Sequence, residues 1–379
     1  MKKRIALALL ALAIAAPSFA YKEEVHRVIS LKAFDRMTAD LKLHLGVEKF
    51  ATAGGTQLRV LMGQGAYDED AGINSLNHFL DPVHNAAPLS VRPMGCIPAG
   101  QNARDWAIWA ANNNYCTEAA RYDYQVAVLG PNAATRDAAL NHLFLSLGHS
   151  IHLVQDMAQP EHVRNDQHLP FATKYLLDNG TQASIYEEWG LVHLLGKFPA
   201  VSYDDYPNVS LPTSYDYFTN ANLSGLADFA NGNFVTQDTN YDDEKHPWLY
   251  CHTYSQPDIS TAAERIIPAT EQAYDEDGNQ VIVSIKEKVY TSFPFDHYVK
   301  VQEEDIYHDF FSSVDLETRD LIAQGKYSLG DGSYLTRASM LIPRAVGYSA
   351  GYLDHFFRGK MEVTWSQKSS GNYDITIKN

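Results

Sequence analysis

Between Leu147 and His162 the chain reads LGHSIHLVQDMAQPEH, sixteen positions holding His149, His152, His162 and Asp156 with no lysine or arginine. Imidazole nitrogens and carboxylate oxygens gathered without a compensating cation are suited to a bound dication, zinc accepting both at about 2.0–2.2 Å. His152 and Asp156 are spaced i, i+4. On a helix their β-carbons stand about 5–6 Å apart on one face and can converge on one ion. Pro160 disfavours helical geometry for the residue before it, so the chain is expected to turn there and bring His162 in from another direction. Taken alone, a histidine one turn from an aspartate is more often a hydrogen-bonded pair than a ligand pair.

Two other segments carry the same residue types. GAYDEDAGINSLNHFLDP puts Asp68, Glu69 and Asp70 eight to ten residues before His78, in what reads as a loop containing glycine and asparagine. YKEEVHRVISLKAF puts His26 five residues after Tyr21, on the helical stripe of Ile29 and Ala33. His142 and His149 read as packing histidines or as outer partners of a site.

Together these segments resemble the zinc-dependent phospholipases C of bacteria and their relatives, the single-strand-specific zinc nucleases. The likeness runs from Tyr21 to about Trp189. It is strongest over HLVQDMAQPEHVRND, with its His-x3-Asp-x5-His spacing, and continues weakly through ANGNFVTQDT and YSAGYLDHFFRG. The resemblance implies a mainly α fold, a multi-helix bundle enclosing a trinuclear zinc site. One ion would sit on Asp70, His78, His152 and Asp156. A second would take the α-amino group and carbonyl oxygen of Tyr21, with His26 and a share of Asp156. The family usually has tryptophan at that terminus, and Tyr21 offers the same backbone atoms. The third would take His162 and Glu187. The family usually has a histidine four residues before that glutamate, where this chain has Ala183, so either His168 replaces it or the ion is held less tightly. Glu188 is an alternative to Glu187, and Asp68 or Glu69 to Asp70.

Such a cluster lowers the pKa of bound water toward about 7 and neutralises charge building on a phosphodiester, so no protein nucleophile is required. Asp70, in the family position often assigned as base, is the expected catalytic residue; its pKa should be low beside the cation, which favours orienting the attacking water over deprotonating it. The implied activity is release of diacylglycerol and a phosphorylated headgroup from glycerophospholipids at a membrane or micelle surface. The alternatives are a single-strand nuclease, or a metal- or lipid-binding protein without turnover. No basic stripe is present to follow a nucleic-acid backbone.

Helices must hold these groups in place. Their pattern is expected over about 21–46, 102–128, 134–157, 184–196, 216–230, 259–275, 314–324 and 334–358. At about 100° per residue, Leu140, Leu143, Phe144, Leu147, Ile151 and Val154 share one sector of the central helix, and His142, His149, His152 and Asp156 share another. Residues 200–250, rich in Asn, Asp, Ser, Tyr and Pro, suit long loops around a site. Their aromatics would serve as an apolar lip or as packing. KMEVTWSQKSSGNYDITIKN alternates apolar and polar residues about Ser-Ser-Gly-Asn and reads as a hairpin. No internal repeat or low-complexity tract is present.

The 379 residues, 45% hydrophobic and 12% aromatic, can bury a large core. Lys2, Lys3 and Arg4, an apolar run from Ile5 to Ala16, and Ser18-Phe19-Ala20 form a secretory leader. Three units are expected: the leader at 1–20, a helical hydrolase domain at 21–360, and a C-terminal β segment at 361–379 that could begin a small, truncated β-domain. Loss of the leader's three basic residues takes the formal charge from −16 to −19, which disfavours nucleic acid and anionic membrane partners. A secreted or periplasmic monomer without a transmembrane anchor is expected. Cys96, Cys116 and Cys251 permit one bridge, Cys96 with Cys116 being the nearer pair, and leave one thiol over.

Overall fold

The computed structural model describes residues 23–37, 55–70, 77–85, 100–164, 185–196, 199–234, 236, 263–274, 280–291, 298–300, 327–328, 331–358, 362–369 and 372–378. The described part is mainly helical. Its central element is α5, Ala133–Asp156, preceded by α1 (Glu23–Asp35), α2 (Gly55–Asp68), α3 (Ala103–Ile108) and α4 (Thr117–Leu129). After it come α6 (Pro160–Val163), α7 (Ile185–His193), α8 (Leu226–Asn233) and α9 (Asp331–Phe356).

Helix α5 starts where the Asn132 side chain accepts the Thr135 amide at 2.9 Å, satisfying an otherwise open N–H. It ends short of Pro160, which opens α6 with no amide hydrogen to lose. Its apolar sector is the core of the molecule: Leu143, Phe144, Leu147, Ile151 and Val154 are buried with Ile29 of α1, Met62 of α2 and Leu353 of α9. Each such side chain contributes about 1.5–3 kcal/mol of burial energy. Helix α2 packs on the opposite sector at Gly148 and His152.

That crossing depends on two glycines. A Cβ on Gly148 would stand 2.9 Å from the Ala66 amide nitrogen and 3.0 Å from Gly65 Cα, with Met62 O closer still; a Cβ on Gly65 would run into Leu145 O. With hydrogens there, the two backbones touch. The approach puts the C-termini of α2 and α5 at the same end of the bundle, with Glu69 and Asp70 directly beyond the one and Asp156 on the last turn of the other.

Several expected elements take a different form. The helix expected over 102–128 is interrupted between α3 and α4. There Asn113 donates from Nδ2 to Trp106 O at 2.9 Å and accepts the Tyr115 amide at 2.9 Å, so a side chain replaces the helical ladder. The helix expected over 216–230 is a short 3-10 turn, Ser214–Tyr217, then a loop, then α8. Asp228 explains the break, accepting the Asn220 and Gly225 amides at 3.1 Å each and so capping α8 from within its first turn. The segment expected as a helix over 259–275 is instead strand β1, Ala263–Tyr274, in a sheet of order β1-β2-β3-β4. Its partners are β2 (Gln280–Thr291), β3 (Tyr298–Lys300) and β4 (Tyr327–Ser328), all antiparallel. Pro268 lies inside that stretch and Asp277-Gly278 follows it; proline breaks a helix at about 3 kcal/mol, and Asp-Gly is hairpin chemistry.

The C-terminal hairpin is present, β5 (Glu362–Ser369) pairing with β6 (Asn372–Lys378). Helix α2 belonged to no expected element. The leader, Tyr21, residues 38–46, Cys96, His168, Ala183, Cys251 and the helix expected over 314–324 lie outside the described residues. Cys116 is a buried free thiol. Among the described residues no helix is long and apolar enough to cross a membrane.

Candidate metal centre

Four side chains meet where α2 and α5 end. His78 Nδ1 lies 3.4 Å from Asp70 Oδ1 and 3.2 Å from Asp156 Oδ2. His152 Nε2 lies 3.4 Å from each of Asp70 Oδ1, Asp156 Oδ2 and His78 Nδ1. Five of the six edges joining these four atoms are therefore 3.2–3.4 Å. Two donors bound to one tetrahedral ion at about 2.0–2.1 Å stand that far apart. All four residues are fully buried, and neither Asp156 oxygen takes a hydrogen bond.

Two other sequence-derived ligands, His26 and His162, stand near the second Asp156 oxygen. His26 Nε2 stands 3.5 Å and His162 Nδ1 3.7 Å from Oδ1, so the carboxylate presents one oxygen to the four-donor set and the other to His26. Two groups, His26 with His152 and Asp156, and Asp70 with His78 and His152, each bring their ligand atoms within 4.8 Å of one another and can hold a metal ion. Glu187 is buried on α7, and its charge acts on Asp156. Nothing is described of the Glu188 side chain.

Outer partners fix the rings. His152 Nδ1 faces Ala66 O at 2.5 Å, the contact that the glycine crossing permits, and His162 Nδ1 faces His78 O at 3.1 Å. His26 Nδ1 lies 2.8 Å from Gln155 Oε1, and Gln155 Nε2 donates to Ser30 Oγ at 2.8 Å. Glu69 stands outside the four-donor set: it accepts Trp106 Nε1–H at 2.7 Å, binds His149 Nδ1 closely, and comes within 3.8 Å of His78 Nε2. Asp68 points away, accepting the Gln64 amide at 2.6 Å. Of the three acidic neighbours, Asp70 is the one that reaches the shared centre. His149 is thus a partner of Glu69, and His142 pairs with Asp123 at 2.6 Å.

Electrostatics favour the ligand forms of the histidines and leave the carboxylate in need of a cation. Burial, then repulsion from His152, pushes the His26 pKa well below the usual histidine range. Burial, with His152, His162 and His26, does the same to His78. Neutral imidazole is the state that ligates. Burial raises the Asp156 pKa well above the usual carboxylate range; His152 opposes this, while Asp70, Glu69 and Glu187 add to it. Asp156 also closes a 24-residue helix, at the end where the macrodipole disfavours negative charge. A bound dication reverses both penalties.

The loop aromatics are mostly packing. Tyr203, Tyr217, Phe218 and Phe234 are buried, while Tyr215 is exposed with the Arg104 guanidinium 5.6 Å over its ring. Sequence reasoning missed Gln155, Ser30 and the Ala66 carbonyl, whose roles depend on contacts distant in the chain. No family model matches the chain, and no curated protein is significantly similar to it.

Proposed function

We propose that this chain is a secreted, zinc-dependent phosphodiester hydrolase of the phospholipase C type, acting on glycerophospholipids. The observation that carries the reading is the set of two imidazole nitrogens and two carboxylate oxygens, five of whose six pairs lie 3.2–3.4 Å apart, a donor set and spacing suited to zinc. The resemblance of Tyr21–Trp189 to zinc phospholipases C supplies the reaction class and the count of three ions.

When bound, zinc supplies Lewis acidity toward phosphoryl oxygen and makes water nucleophilic near neutral pH. Asp70, His78, His152 and Asp156 hold the first ion; His26, with Asp156 and the Tyr21 backbone, the second; His162 and Glu187, with His168 in place of the absent histidine at Ala183, the third. Asp70 orients the attacking water through its carboxylate. The Ala66, His78 and Gln155 oxygens keep the imidazoles aimed at the ions. Burial of the ligands keeps bulk water from competing with the phosphodiester.

The test is zinc-loaded mature protein assayed against phosphatidylcholine vesicles, single-stranded DNA and a chromogenic phosphodiester. Diacylglycerol release without DNA cleavage is the expected result. DNA cleavage alone would select the nuclease, and inactivity toward all three would select a binding protein.

A further inference from the structure

The histidines of the centre differ in what backs them. His152 and His162 direct Nδ1 at main-chain carbonyls, Ala66 O at 2.5 Å and His78 O at 3.1 Å. Such a partner is independent of the side chain at its position. His26 is backed by a side chain: Gln155 Oε1 lies 2.8 Å from its Nδ1, and the Gln155 amide nitrogen donates to Ser30 Oγ at 2.8 Å. His26, Gln155 and Ser30 are all fully buried, so water does not substitute for any member of the chain.

We infer that Gln155 is a positioning residue that selects the Nδ1-protonated form of His26 and sets how tightly the ion between His26 and Asp156 is held. The argument is directional. With the amide nitrogen turned to Ser30, only the amide oxygen faces His26, and an oxygen accepts. The ring proton therefore sits on Nδ1, and the lone pair of Nε2 points toward Asp156 Oδ1, 3.5 Å away. One turn of α5 thus supplies a ligand, Asp156, and through the adjacent residue the outer partner of another ligand on α1. An amide carries no charge and polarises the ring less than a carboxylate would. A carboxylate at position 155 should therefore tighten this one site, and an apolar residue should loosen it. The inference rests on the metal-centre reading.

The test is a stepwise titration of metal-free mature protein with Co2+ and with Zn2+, by calorimetry and equilibrium dialysis, for wild type, Gln155→Met, Gln155→Glu and Ser30→Ala. Gln155→Met is expected to weaken one equivalent by about 10–100-fold, the usual effect of losing an outer partner, leaving the others near wild type. Gln155→Glu should bind that equivalent at least as tightly as wild type, and Ser30→Ala should fall between wild type and Gln155→Met. In the zinc-loaded wild type, nitrogen-15 NMR should find the His26 proton on Nδ1. Unchanged titrations, a uniform loss across all equivalents, or a proton on Nε2 would overturn the role. Failure of the wild type to take up metal would instead overturn the metal-centre reading itself. Thermal unfolding of each metal-free variant checks folding, and should Gln155→Met not fold, Ser30→Ala, which keeps Gln155, carries the test.

Discussion

Gly148→Ala tests whether the closeness of α2 and α5 builds the metal centre. The new Cβ would lie 2.9 Å from the Ala66 nitrogen, against the 3.4 Å at which ordinary contact begins, so the helices must part by at least 0.5 Å there. Asp70 follows α2, whereas His152 and Asp156 sit on α5. The 3.4 Å edge from Asp70 Oδ1 to His152 Nε2 therefore lengthens toward about 3.9 Å. Asp70 Oδ1 then stands up to about 0.5 Å too far from an ion centred on His152 and Asp156, outside the roughly 0.2 Å that a metal site tolerates. The Ala66 O contact with His152 Nδ1 stretches from 2.5 Å by the same amount. Overpacking costs about 1–3 kcal/mol, offset by about 1 kcal/mol of better helix propensity for alanine. The metal-free protein should thus lose up to about 2 kcal/mol by urea unfolding, while zinc affinity at the first site falls more than tenfold by competition with a chromophoric chelator. Gly148→Ala protein with wild-type zinc affinity would refute the dependence of the centre on the crossing.

Asp156→Asn is expected to abolish activity and to lower zinc content by more than one equivalent by elemental analysis, since the two carboxylate oxygens face different ligand groups; full occupancy would refute bridging. Arg337→Met removes the buried guanidinium 3.8 Å from Glu161, beside His162, and should cost about 3–5 kcal/mol in urea unfolding; adding Glu161→Gln should recover more than half of that. Burial is the leading cause that lowers the pKa of His193 and His355. Both therefore stay neutral in the fold while the unfolded chain takes up protons near pH 6.5, and stability is lost as pH falls below that value. His193→Gln/His355→Gln should lose less stability than wild type between pH 7.5 and 5.5, and an equal loss would refute the assignment.

Much of the site was legible because its signals are local. The i, i+4 spacing of His152 and Asp156, the turn at Pro160 and the amphipathic stripe of α5 each lie within a few residues. What was not legible depended on partners far along the chain. The segment beginning at Gly65 reads as a loop, whereas Gly65 serves helix contact with Gly148 and lies within α2. Ile266-Ile267 and the apolar residues near them suited either period, and the pairing with β2 decided for a strand. Among the adjacent carboxyls, Asp70 was preferred to Asp68 and Glu69 by resemblance alone; the end of α2 separates them, Asp68 bonding Gln64, Glu69 bonding Trp106 and Asp70 reaching His152.

Helix α5 changes character along its length: Ala133, Ala134, Asp137 and Ala138 are exposed, whereas every residue from Ser146 to Asp156 is buried. Amide hydrogens should therefore exchange quickly in its first turns and slowest in its last, where opening requires much of the surrounding bundle to yield. An ion held by His152 and Asp156 would sit on the part of the helix that opens last, so binding it should slow amide exchange there further.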